Sequence, residues 1–370
     1  MKRKMMAVLL TMAMAASVIG CGNSTDAGAT SNDTQAAATE QTKEKVRVGA
    51  SWTNFTDTFI GNARNTLINM VDAYDEFELT DCDNANDAST QASNLNNMYT
   101  QGIDILVFNN VLVGSELEFS KQAEEEGASI IFANCNAPDD SVFEEVPSAY
   151  FIASASAQSG TIMGETFVDY WKNHPEADRN GNGTVDYVML LGYQGHYDTE
   201  VRSEYSVKAV TDAGYPVNCV GGVQICEYNR TKAQEAVAAL LANFSDDIDV
   251  IFACNDDMAL GAIEALKASG FFTDESTYLP VCGVDGTAAG CEAIKDGTLM
   301  VTSLNNPVAL SKGIYKMMEL ITAKEEISTE SLNMPGATCE DGHKVWLDYV
   351  KITKDNVEDA NYDITDTTKY

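Results

Sequence analysis

Positive charge is scarce in this 370-residue chain: 23 Lys and Arg stand against 56 Asp and Glu, a formal net charge of -33. Nucleic-acid binding needs clustered Lys and Arg, and so does a polybasic membrane face, so neither is a main function. Signatures of common chemistries are missing as well. The chain has no Gly-rich phosphate loop, no G-x-G-x-x-G, no G-x-S-x-G and no H-E-x-x-H. Its nine cysteines include no C-x-x-C and no zinc spacing. The apolar run at 5–16 is too short to span a bilayer as a helix. What is present is enough apolar material, 45% of residues, for the cores of two domains.

The N-terminus lies outside those cores. Met1-Lys2-Arg3-Lys4 is a basic n-region and 5–16 an apolar h-region, together a signal peptide over 1–20. It ends in Val18-Ile19-Gly20-Cys21, which resembles a lipobox whose cleavage leaves Cys21 as a lipid-modified first residue. Residues 21–45 are rich in Ser, Thr, Ala, Gln, Asn and Gly. They cannot bury enough surface to offset ordering entropy, and read as a disordered tether. With Cys21 lipidated, eight cysteines remain. Cys82, Cys135, Cys254 and Cys282 fall in or beside strand-like runs, where a thiol is a small core hydrophobe. Cys219 and Cys226 have an open choice between free thiols and a pair.

From Val46 the pattern is strand, then helix, repeatedly. Strands are predicted at 46–52, 77–82, 103–109, 129–134, 150–153, 187–191, 217–223, 249–253 and 279–284. Helices are predicted at 59–74, 88–99, 117–126, 160–171, 200–213, 232–243, 258–269 and 288–295. A run at 299–306, a helix at 308–322 and a strand at 345–351 remain. Strands apolar along their length between amphipathic helices mean parallel sheets covered on both faces. Two such series give two α/β lobes, with the chain crossing between them more than once. Ligands of such sheets sit beyond the carboxyl ends of the strands. That rule singles out Asn109, Asn134, the His196 loop, Asn255 with Asp256, and Asp285.

Residues 178–202, DRNGNGTVDYVMLLGYQGHYDTEVR, join three features. Asp178, Asn180, Asn182 and Asp186 place oxygen side chains at positions 1, 3, 5 and 9 of a calcium-type loop, with Gly183 at the sharp turn. No Glu stands at position 12 and a strand follows, so an ion here would brace the loop rather than open a switch. The plainer reading is a solvated Asn/Gly turn. After the strand, His196, Asp198 and Arg202 open a helical pattern.

These landmarks, in order, resemble the galactose/glucose branch of the bacterial periplasmic sugar-binding proteins. They are VRVGASW at 46–52, TDTF at 56–59, SIIFAN at 129–134, DRNGNGTVD at 178–186, GHYDTEVR at 195–202, EYNRTKA at 227–233, IDVIFACNDDMALGAIEALKA at 248–268, VCGVDG at 281–286 and VTSLNN at 301–306. The resemblance covers the chain beyond the tether. It implies an α/β, periplasmic-binding-protein type I fold: two Rossmann-like lobes with parallel sheets joined by a three-crossing hinge. The lobes would be 46–153 with 307–346, and 154–306 with 347–370.

The resemblance also implies a sugar site. Asp57 takes the place of an acidic acceptor and Phe59 of a stacking aromatic. Asn134, His196, Asp198, Arg202, Asn255, Asp285 and Asn305 match polar ligands. Tyr228 stands where the family has tryptophan, a smaller ring on the opposite sugar face. Asp178, Asn180, Asn182, Thr184 (through its carbonyl) and Asp186 match calcium ligands. Asp249 replaces a closing glutamate that is one methylene longer. The implied function is capture of D-glucose or D-galactose by lobe closure, without catalysis. The sugar would pass to an ABC importer permease, with a chemoreceptor as a second reader. The implied state is a monomer, lipid-anchored outside the cytoplasm.

The residue types fit that chemistry on their own terms. Sugar hydroxyls both donate and accept, so carboxylates, amides and a guanidinium suit them, while C–H faces suit rings. Each residue also has a duller reading. Asp57 can be a helix N-cap, Asp285 a turn residue, His196 a structural histidine, and Asp198 with Arg202 a surface helix pair. Two acids such as Asp57 and Asp285 could pair as in a glycosidase, but no nucleophile accompanies them. A sugar-responsive repressor would need an N-terminal helix-turn-helix, where this chain has its leader and tether. The alternatives within binding are another monosaccharide, pentose or hexose, or a sensor with no transport role.

Overall fold

The computed structural model describes residues 44–369. The leader at 1–20, Cys21 and nearly all of the tether lie outside the described residues. Among the described residues no helix is long and apolar enough to cross a membrane.

The first lobe opens with β1 (Val46–Trp52), α1 (Thr58–Ala73), β2 (Phe77–Asp83), α2 (Ala88–Gln101), β3 (Ile105–Phe108), α3 (Glu116–Glu125), β4 (Ser129–Ala133), α4 (Asp140–Glu145) and β5 (Ala149–Ser154). The second lobe follows with α5 (Ser156–Asn173), β6 (Val185–Leu191), α6 (Tyr197–Asp212), β7 (Val217–Cys219), β8 (Gln224–Ile225), α7 (Arg230–Phe244), β9 (Val250–Ala253), α8 (Asp256–Ala268), β10 (Val281–Val284), α9 (Ala288–Lys295) and β11 (Val301–Leu304). The chain then returns to the first lobe with α10 (Pro307–Ala323), α11 (Thr329–Leu332), β12 (Ala337–Glu340) and β13 (Lys344–Leu347). It adds β14 (Val350–Ile352) to the second.

The first sheet has the order β12-β13-β5-β4-β3-β1-β2 and the second β14-β11-β10-β9-β6-β7, with β8 also on β6. Pairing is parallel throughout except β12 with β13 and β14 with β11. β3, β4, β9, β10 and β11 are buried almost end to end, which is why their sequences read as unbroken apolar runs. Each face of the first sheet has its own core, one built on Trp52, Leu67 and Tyr315 and the other on Phe108, Phe132 and Phe151. The second lobe has a single core that includes Phe167 and Phe252.

The lobes are joined at three places: after Ser154, between Leu304 and Pro307, and between Leu347 and Val350. The second crossing is cut sharply by Asn306, whose side chain caps α10 at Val308 N and Ala309 N ahead of Pro307 at the first helical position. The expected strand at 345–351 is two strands in two sheets. The expected strand at 217–223 is also broken, because Gly221 and Gly222 adopt left-handed backbones between β7 and β8.

A further difference concerns the C-terminus. Residues 347–370 were expected in the second lobe, and β14 and the turn at Val357–Ala360 do pack there. Beyond them the tail lies along α1 and α10 of the first lobe. Asn62 Nδ2 donates to Tyr362 OH at 3.4 Å, Asn69 Nδ2 to the Ile364 carbonyl at 3.0 Å, and Tyr74 OH to the Thr367 carbonyl at 2.9 Å. Lys312 pairs with Asp366 at 2.8 Å, and Lys369 with Glu76 and Glu319 at 2.8 and 2.6 Å. The eight cysteines of the described part are all free thiols, Cys219 and Cys226 included.

Candidate functional site

The parallel strands of both sheets point their carboxyl ends at the gap between the lobes, and the segments after most of them contribute to one cleft. Asp57 follows β1, Asn134 follows β4, His196 follows β6, Asn255 follows β9, Asp285 follows β10 and Asn305 follows β11. The cleft has a volume of about 730 Å3, and all ten residues singled out for the sugar site line it.

Asp57 is at once a helix N-cap and a cleft residue. Its carboxylate caps α1 at Ile60 N, 2.9 Å away, and faces the cleft. Phe59, one helical step on, is buried against the first lobe's core. On the other side, α6 is set close to α5 because Gly160 and Gly164 have no side chains. A Cβ there would lie 2.5 Å from the Arg202 carbonyl and 2.3 Å from that of Ser206. This fixes the start of α6, where Asp198 and Arg202 are both buried rather than on a surface face. Ser156 Oγ donates to Asp198 at 2.6 Å. Arg202 donates to the Cys254 carbonyl at 2.8 Å and to Tyr349 OH at 2.9 Å, and lies 3.4 Å from Asp198. Its Nε is buried with no partner inside the protein.

Asn255 caps α8 through Met258 N at 2.9 Å, and Asn305 accepts from Ser154 at 2.7 Å across the hinge. Three of the ten sugar-site residues have positive-φ backbones: Asn134 at φ 50°, Tyr228 at 57° and Asp285 at 114°. Asn tolerates this region; Tyr and Asp at these angles are strained, a feature concentrated at functional sites. The Tyr228 ring stands against Gly192, where a Cβ would come within 2.1 Å of it, and its hydroxyl is bonded to Thr199 Oγ1 at 2.8 Å.

Burial pushes the carboxyls of Asp57 and Asp285 above the usual range, against a pull downward from the Arg202 charge. Burial lowers His196, which keeps its ring neutral and able both to donate and to accept. Asp256, behind the cleft, is enclosed by Thr287 and Thr302 and raised to about 7 by burial. It holds the turn carrying Asp285 instead of facing the cleft. Asn109 lines the cleft, with its amide tied to the Ala133 and Asn134 carbonyls.

Among the cleft-side residues that escaped the sequence reading, five bear on the geometry. Thr58, Asn86, Tyr193 and Asp257 line the cavity, and Tyr349 lies behind Arg202. The polar ones could have been found from their position after strands β1, β2, β6 and β9. Tyr349 has no such signal, since it sits in the short crossing between β13 and β14.

At the far end of β6 the loop 178–186 is folded on its own side chains. Asp178 accepts from Asn182 N and Gly183 N at 3.1 and 2.9 Å, Asn180 from Asn182 N at 3.1 Å, and Asn182 from Thr184 N at 2.6 Å. The amides of Asn180 and Asn182 point at Asp186, 3.0 and 2.7 Å away. Asp249 braces both loop ends, accepting from Arg179 N at 3.0 Å and Asp186 N at 2.8 Å. Among the described residues no three His, Cys, Asp or Glu converge as a metal cluster. A hard cation here would therefore rely on amide and carbonyl oxygens beside the carboxylates, which is a donor set that calcium accepts.

A family model described as "Periplasmic binding protein domain" matches residues 48–326. The D-galactose/methyl-galactoside binding periplasmic protein MglB of Haemophilus influenzae is 27% identical over 315 residues, 85% of this chain and 91% of that protein. A xylitol-binding protein of Mycolicibacterium smegmatis is 28% identical over 281 residues, 76% of this chain and 74% of its own. An ABC transporter solute binding protein of Bacillus halodurans, solved with bound myo-inositol, shares the fold with a TM-score of 0.66 at 24% identity, over 85% of this chain and 96% of that one.

Proposed function

The chain belongs to the periplasmic binding protein family, and on that premise we propose that it captures D-glucose or D-galactose by closing its two lobes on the sugar. It is an extracytoplasmic binding protein, not an enzyme. The observation that carries the sugar reading is the convergence of ten side chains of complementary type on one cleft. Asp57 and Asp285 supply acceptors, Arg202 supplies donors, and Asn134, Asn255 and Asn305 supply amides that do both. His196 and Asp198 add to one wall. Phe59 and Tyr228 bring rings suited to the C–H faces of a pyranose. The orphaned Nε of Arg202 is a buried donor that a ligand oxygen would satisfy.

Because the contacts come from both lobes, the ligand interacts fully only with the closed form and shifts the population toward it. The closed surface is what an ABC importer permease, and a chemoreceptor, would read. Cys21 would hold the body to the membrane through lipid. Loop 178–186 would take a structural calcium, held by Asp178, Asn180, Asn182, Thr184, Asp186 and Asp249. Its place at the other end of seven-residue β6, roughly 20 Å from the cleft, separates that ion from the sugar.

The test is isothermal titration calorimetry against glucose, galactose, ribose, arabinose, xylose and myo-inositol. One-to-one heat with glucose or galactose, abolished in Asp57→Ala and Asp285→Ala with the fold retained, is the expected result. Heat only with a pentose or with the cyclitol moves the specificity. No heat with any of them withdraws the sugar.

A further inference from the structure

Two hydrogen bonds cross the cleft without using any of the ten sugar-site residues. Thr58 Oγ1 of the first lobe donates to Asp257 Oδ2 of the second at 2.8 Å. Asn86 Nδ2 of the first lobe donates to Tyr193 OH of the second at 2.9 Å. All four residues line the cavity. Each pair sits close in sequence to sugar-site residues. Thr58 lies between Asp57 and Phe59, Asp257 two residues after Asn255, and Tyr193 three before His196. The Tyr193 ring also packs edge-on against Tyr228, with centroids 5.8 Å apart. Rotating the lobes apart breaks both bonds and moves the two halves of the sugar site away from each other.

We propose that Thr58–Asp257 and Asn86–Tyr193 form a closure latch that sets the population of the closed form and so scales the affinity for every ligand by the same factor. The proposal rests on the sugar-binding reading for its binding arm. A ligand's apparent affinity is its intrinsic affinity multiplied by the fraction of binding-competent protein. Contacts between the lobes change that fraction without touching the ligand, so they leave the ratio between two sugars alone. Direct sugar contacts change the ratio.

Asp257 gives the latch an opposing element. Among the described residues it has no ion-pair partner, and closure brings its carboxylate toward that of Asp57, which feels its charge. Thr58 thus attracts across the cleft what its neighbour Asp57 repels. Asp257→Asn keeps an acceptor oxygen for Thr58 and removes the repulsion.

The experiment is calorimetry with glucose and galactose on the wild type, Thr58→Val, Tyr193→Phe, the double variant and Asp257→Asn. Thr58→Val and Tyr193→Phe are each expected to weaken both sugars equally, by about three- to tenfold, with the galactose-to-glucose ratio unchanged. Asp257→Asn is expected to bind no more weakly than the wild type. Unchanged affinity in both single variants overturns the latch, and so does a shifted sugar ratio, which would make these residues ligand contacts. A wild type that binds no sugar would sink the proposed function and leave the latch to small-angle scattering. In that case the double variant, without ligand, should have a larger radius of gyration than the wild type, and an equal radius overturns the latch.

Discussion

Asp198 and Arg202, one turn apart on α6, form a buried pair at 3.4 Å in which the guanidinium is shared with the Cys254 carbonyl and the Tyr349 hydroxyl. The sequence spacing alone would have suited an exposed i, i+4 pair worth a few tenths of a kcal/mol. Burial changes its meaning. Arg202 ties α6 to the end of β9 and to the third crossing while its Nε stays unpaired.

Arg202→Lys therefore replaces a planar fork by a single nitrogen that cannot reach all these partners. Sugar affinity should fall by about 10- to 100-fold and stability by roughly 1–3 kcal/mol. Calorimetry and thermal unfolding would check both, and retention of wild-type affinity would remove Arg202 from the site.

Affinity should also depend on pH in a definite direction. Burial raises Asp57 and Asp285, so their carboxylate forms are lost at higher pH than a free aspartate's. Binding that needs those acceptors is full above the raised values and declines as pH falls through them. His196, lowered by burial, stays neutral over that upper range and adds no charge. The decline should begin well above pH ~4 and be blunted in Asp285→Asn. A flat profile down to that pH would show that neither acid accepts from the ligand.

Chelation should affect stability rather than binding. If calcium occupies loop 178–186, removing it leaves Asp178, Asp186 and Asp249 without a cation and lowers the melting temperature. Sugar affinity at the opposite end of β6 should hold within about twofold, given the ~20 Å separation. Asp186→Asn should lose the calcium response. An identical melting temperature with calcium and with chelator would rule out the ion.

The tail beyond Ala360 is a fourth link between the lobes. Tyr362 packs on the second lobe's core while its hydroxyl meets Asn62 on α1 of the first. Ending the chain after Ala360 should lower the melting temperature by roughly 2–5 °C. An unchanged transition would show that Lys369, Asp366 and Tyr362 add nothing to stability.

The two α/β series and most of the polar residues that end their strands were legible in the local pattern of the chain. Period and apolar runs are local properties, and parallel sheets impose them strand by strand. Asn134, Asn255 and Asp285 could be placed at strand ends without knowing which strands were neighbours, because every parallel strand delivers its end to the same edge. The tertiary structure decided what depends on distant partners. Residues 344–352 are divided between two sheets because Val345 pairs with Ile152 and Ile352 with Thr302, choices that leave no mark on a nine-residue stretch. Tyr349 meets Arg202, Thr58 meets Asp257, and the tail returns to α1 for the same reason. Such contacts join segments about 150 to 300 residues apart, and their energy exists only after both lobes have formed.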